Sequence, residues 1–232
     1  MIQEIEFEKS SLAVSVFAFV PDLTADVLAG LMADDESRVS LIVKRSGFAD
    51  VESFGEILRG SYVLVVEEAV EDLQDGMIVA KTVHKATVCH FLAGNGRLYV
   101  WGDGKAKRNA ASSIEALDDV PVVPVVFSSE DLVRFQHRLS LVSAIAVKNP
   151  KTNEVRRVRL SGKVEDYSTC NVLDPCNHAI ESVAGVIEHT THGKVKVTVG
   201  TRAAIRIGLK VGAVIDLDFL GWLVGRVADA DA

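Results

Sequence analysis

The chain has 232 residues, 48% hydrophobic and 25% charged, enough to bury a sizeable core as one large domain or two halves. A net charge of −7 and a pI near 5.4 argue against indiscriminate nucleic-acid binding. Three cysteines, Cys89, Cys170 and Cys176, are too sparse for a disulfide framework and fit a reducing, cytoplasmic compartment. The charge is uneven: residues 1–80 sum to −11 and residues 81–232 to +4. An acidic half joined to a basic one suggests a face for an anionic partner, or two halves that attract each other.

The first apolar run, LAVSVFAFV, is short and β-branched and predicts a buried strand. It is too short to span a bilayer and follows the acidic EIEFEK, so neither a membrane segment nor a signal peptide is expected. PDLTADVLAGLM opens on proline and repeats Leu23, Val27 and Leu31 at helical spacing, which predicts a helix. VSLIVK and SYVLVVE read as strands on either side of RSGFADVESFGEILRG, where a short helix is expected.

KATVCHFLAGNGRLYVWG carries the clearest local signal. Two strand-like runs flank Asn95-Gly96, a dipeptide that accepts the positive φ angles of a tight hairpin. Alternation puts Arg97, Tyr99 and Trp101 on one face of the second strand, with Leu98 and Val100 on the other. The following KAKRNAASSIEAL repeats Ala106, Ala110, Ile114 and Leu117 along one helical face. VPVVPVVF is extended, because each proline steers its predecessor away from helix. SSEDLVRFQHRL opens on Ser128, three residues before Asp131, as a capping box does, and turns Leu132, Phe135 and Leu139 inward. LVSAIAVKN, EVRRVRLSG, SVAGVIEHT, KVKVTVG, AAIRIGL and AVIDLDFLGWLV are read as strands. Residues 161–180 show no clear period, and VADADA closes the chain as an unanchored tail.

Four groups are candidates for chemistry. Lys105, Lys107 and Arg108 crowd a helix start, where each exposed cation costs roughly 0.3–1 kcal/mol against the dipole. A phosphate on the free N–H groups would reverse that cost, and so would a capping Asp103; otherwise the three are solvated surface. GDGKAKR lacks the spacing of a phosphate loop, so nucleotide hydrolysis is not supported. Arg97, Tyr99 and Trp101 would make a stacking platform for bases if their face were open, and core if it were covered. Cys170, Cys176, His178, His189 and His192 match no zinc spacing, so no metal or other cofactor is expected. Asp216 and Asp218 would share a strand face, as carboxylates that hold Mg²⁺ sometimes do, or simply meet water there.

The succession of strand, tight glycine turn, strand ending in glycine and alanine-rich helix over residues 87–117 resembles the hairpin-and-helix part of a half-repeat in the TATA-binding-protein fold. Saddles of this kind bind DNA or simply dimerise. The resemblance implies an α+β protein: a curved, mainly antiparallel sheet with helices on one face, arranged as two such halves. The phenylalanine pairs that wedge DNA in that family are not evident, so TATA-box recognition is not implied.

These readings divide the chain into an acidic α+β half (1–120), a basic β-rich half (121–226) and a flexible tail (227–232). The function expected is non-enzymatic: contact through the sheet or the basic second half with nucleic acid, or with a component of a nucleic-acid-processing complex. Arg97, Tyr99, Trp101, Lys105, Lys107 and Arg108 are the candidate contacts. Two alternatives stand beside it. One is an assembly subunit with a protein partner or a second copy of itself; the other is a metal-dependent nuclease or hydrolase.

Overall fold

A computed structural model describes residues 4–19, 28, 45–74, 77–116, 122–148, 157–164, 179–202 and 204–228. The architecture is α+β: mainly antiparallel sheet with three helices among the described residues, none of them long and apolar enough to cross a membrane. The chain divides into two compact units, one built from Gln3–Phe17 with Pro124–Ala232 and the other from Ala18–Val123.

In the second of these, strands β3 (Gly47–Phe54), β4 (Ile57–Gln74), β5 (Met77–Gly94) and β6 (Arg97–Gly102) form an antiparallel meander in that order. Helix α1 (Gly104–Glu115) follows directly. The hairpin is the one expected: Asn95 and Gly96 take φ of 52° and 69°, and Leu98 pairs with Ala93 across the turn. Ala106, Ala110 and Ile114 are buried as their spacing requires, whereas Leu117 lies outside the described residues. Helix α1 covers the face that carries Tyr62, Phe91 and Val100, and the Tyr62 Oη and Ser113 Oγ meet at 3.1 Å. Phe48 stands edge-on to Tyr62 and Phe91, at centroid distances of 5.0 and 5.5 Å.

The short helix expected within RSGFADVESFGEILRG is instead strand β3, a tight turn and the start of β4. Gly55, at φ +60°, closes that turn, and a register shift between Ala49 and Glu52 absorbs the irregular pattern that had suggested helix. The predicted helix at residues 21–32 and strand at residues 39–44 lie outside the described residues, apart from Leu28, which is fully buried.

In the other unit, β2 (Leu12–Phe19), β12 (Ala204–Gly208), β11 (Gly193–Gly200), β10 (Ala179–His189), β8 (Leu141–Lys148) and β9 (Arg157–Ser161) are antiparallel neighbours in that order. β1 (Glu4–Glu6) pairs separately with β13 (Val214–Asp216), and β7 (Val122–Pro124) is a short extended piece. One sheet face is apolar, with Val195, Val197, Val199, Ile205 and Ile207 all buried. Helices α2 (Ser129–His137) and α3 (Leu217–Ala228) pack against each other, and α2 lies along β10. The capping box is present: Asp131 N donates to Ser128 Oγ at 3.0 Å, and Ser128 N donates back to the Asp131 carboxylate at 2.7 Å.

One expected strand ends early and continues as helix. AVIDLDFLGWLV is strand only through Asp216, and α3 begins at Leu217. Asp216 Oδ1 accepts the Phe219 amide at 2.8 Å, starting the helix, and Phe219, Leu220, Leu223, Val224 and Val227 form its buried stripe. The helix runs through Ala228 with Val227 buried, so residues 227 and 228 belong to the fold rather than to a free tail.

Candidate interaction surfaces

The N-terminus of α1 is occupied by its own acid. Asp103 Oδ1 accepts the amides of Lys105 at 2.8 Å and Ala106 at 3.0 Å, the two first-turn donors a phosphate would otherwise take. The Ala106 amide, then the Lys105 amide and charge, hold the Asp103 carboxyl below its usual range. The three cations differ in exposure. Lys105 and Arg108 are exposed and three residues apart on the helix, whereas Lys107 is not fully exposed. Lys107 is half-buried beside Cys89, and burial depresses its ammonium pKa. The buried Cys89 thiol is itself pushed up to about 12, chiefly by desolvation.

Arg97, Tyr99 and Trp101 share a face as alternation predicts, but it is not an open platform. Tyr99 is 1% exposed and Trp101 9%, so both are buried, as Leu98 and Val100 on the other face are. Both faces of β6 are covered, so neither aromatic presents a ring to a base in this fold. Tyr99 and Trp101 are core. Arg97 is half-buried and donates to the Tyr99 hydroxyl, whose pKa burial raises and Arg97 opposes.

The carboxylate pair also separates. Asp216 caps α3 from the end of β13 while Asp218 sits in the first turn of the helix, so they do not share a strand face. His189 and His192 stack at 5.0 Å and pack on Phe219, with His189 also edge-on to Trp222 at 4.6 Å. Desolvation, then the charge of His192, lowers the His189 pKa. Cys170, Cys176 and His178 lie outside the described residues. Among the described residues no three acids, histidines or cysteines gather as metal ligands.

Among the described residues two further surfaces carry chemistry. The first is an arm. β4 and β5 pair along their whole length, from Leu58–Ala93 to Gln74–Met77, but among the described residues β3 accompanies β4 only to Val63 and β6 accompanies β5 only from Cys89. Residues 67–72 are all exposed, as are residues 77–86 except Val83. This ribbon buries neither face. Its β4 strand carries Glu67, Glu68, Glu71 and Asp72 with no base, and its β5 strand carries Lys81, His84 and Lys85 with no acid. Within the ribbon His84 Nε2 lies 3.1 Å from Glu67 and Lys85 Nζ 3.8 Å from Glu68. The sequence held a sign of it in Asp75-Gly76, a hairpin dipeptide between two strand-like runs of matching length.

The second surface is the solvent face of the β12–β11–β10 sheet. Lys194, Lys196 and Arg206 project from it and are exposed, around Thr198, Ala204 and Ala13, with Glu188 opposite Lys194. No protein-family model matches the chain, and no curated protein matches it.

Proposed function

We propose that the protein is a structural subunit of a macromolecular assembly and that the β4–β5 arm is the element that joins it to its neighbour. The observation that carries this reading is the arm's exposure on both faces over two long strands. A two-stranded ribbon is at best marginally stable in water alone, and open edges of this length invite another chain. The two units are read as saddle-type halves similar to the TATA-binding-protein fold, supported by antiparallel sheet and by helix α1 laid on one face. The test is amide hydrogen exchange across residues 67–86 in the protein recovered from its native source. Slow exchange along the arm is expected. Exchange at the rate of an unstructured peptide would overturn the reading.

Contact with nucleic acid through the basic part of the chain is a second reading, favoured by Lys194, Lys196 and Arg206 on one sheet face. Such contact would act through counterion release, so replacing the three by Gln should weaken single-strand binding across sequences and flatten its salt dependence. Replacing Lys105, Lys107 and Arg108 by Gln tests the α1 cations in the same assay. Absence of binding at low salt would remove this reading and leave the arm's role standing.

A further inference from the structure

Among the described residues no strand covers either edge of the arm, and the two edges differ in chemistry. On β4, Val65 is the last residue with an outward partner among the described residues: its amide donates to Ser46 Oγ at 3.0 Å. Antiparallel alternation gives Glu67, Ala69 and Glu71 the same outward orientation. On β5, the Val88 carbonyl accepts the Asp103 amide at 3.1 Å, and beyond it Ala86, His84, Thr82 and Ala80 point outward in turn. No described strand pairs with either stretch. One edge therefore offers backbone groups on an acidic strand and the other offers them on a basic strand.

We infer that the arm adds edge to edge to the arm of a second copy of this chain, with β4 of one copy against β5 of the next. Charge decides the pairing. β4 against β4 would face Glu67, Glu68, Glu71 and Asp72 with the same acids, and β5 against β5 would face lysine with lysine, both unfavourable in cross-strand positions. β4 against β5 sets acid beside base and repeats the alternation already made within each arm by Glu67–His84 and Glu68–Lys85. Direction agrees with charge. β4 and β5 run oppositely, so arms pointing the same way meet as antiparallel strands, and the ribbon continues from copy to copy. Such a contact is head-to-tail, and head-to-tail contacts close into rings or run on as filaments. Both faces of the ribbon carry charge, Glu68, Lys81 and Lys85 on one and Glu67, Glu71 and His84 on the other, so neither resembles the apolar band of a lipid-facing barrel.

This inference rests on the assembly reading and makes its occupant specific. The test compares the mass in solution of four forms of the full chain by light scattering and sedimentation. The wild type should be larger than a dimer. Lys81→Glu with Lys85→Glu should be monomeric, Glu67→Lys with Glu68→Lys should be monomeric, and an equimolar mixture of the two should regain the wild-type mass. The mixture separates lost pairing from lost arm structure, since arms that had merely unravelled would not recover on mixing. Ala80→Pro checks the backbone alone: it removes an outward N–H, leaves the bonds to β4, and should weaken association at least tenfold with unchanged melting. A wild-type mass of one or two copies overturns the inference, as does reassembly of either charge variant by itself. A wild-type monomer whose arm is nonetheless protected from exchange in its native complex would overturn head-to-tail pairing while sparing the assembly reading.

Discussion

At the scale of single residues, several of the polar side chains singled out in the sequence hold helix starts. Asp103 and Asp216 act at helix starts, and Ser128 with Asp131 closes a capping box. Ser128→Ala should lower stability by about 1 kcal/mol in denaturant titration, because the Asp131 amide loses its acceptor. At Asp131, burial opposes ionisation, but the Ser128 hydroxyl and amide and the Arg134 guanidinium outweigh it and leave the pKa lowered. Asp103 is lowered as well. A carboxyl whose folded pKa is depressed adds stability that is complete above its unfolded value, near pH 4, and is lost as pH falls through the lower folded value. Thermal scans should thus show stability falling below about pH 4, with a weaker fall in an Asp131→Asn variant. Tyr99→Ala should cost about 3–5 kcal/mol by opening a cavity in the core. A change in nucleic-acid affinity without loss of melting temperature would contradict that assignment.

At the scale of elements, local patterns were legible where the local signals agreed. The Asn95-Gly96 hairpin, the Ala106/Ala110/Ile114 stripe and the Ser128 box were readable because turn chemistry, period and cap agree at each. α3 was misread because its apolar residues are dense enough to pass for a buried strand, and the signal that separates them is the Asp216 cap. β3 was misread because a bulge breaks its alternation. The junction of β6 and α1 depends on Gly102, at φ +113°, where a Cβ would lie 2.9 Å from both the Cys89 Cα and the Val88 carbonyl oxygen. Gly102→Ala should therefore destabilise the chain by about 1–3 kcal/mol, read from its denaturation midpoint. Gly104→Ala, where a Cβ meets nothing within 4 Å, is the control.

At the scale of the whole molecule, the arm is set apart from the folded units by what it lacks. Its outer residues bury no core, so their removal should cost the isolated chain little. Replacing residues 67–84 with a two-residue turn should leave the melting temperature of the isolated chain near that of the wild type and abolish association. A large loss of stability in the monomer would mean that the arm packs on the body of the protein. The division into units also pairs Gln3–Phe17 with Pro124–Ala232. Strand partners distant in sequence, such as Leu12 and Ile207, leave no local trace.

The sequence by itself determined the α+β class, the hairpin before α1, the cap of α2 and most strands, since these depend on neighbours within a few residues. It also held the opposed charges of the arm, Glu67 to Asp72 against Lys81 to Lys85. Only the tertiary structure decided which of these surfaces is open. Tyr99 and Trp101 alternate like residues of a solvated face and are buried, whereas Val70, Ile78 and Val79 look like core and are exposed. Alternation records which residues share a face of a strand, and burial depends on what packs against that face from elsewhere in the chain.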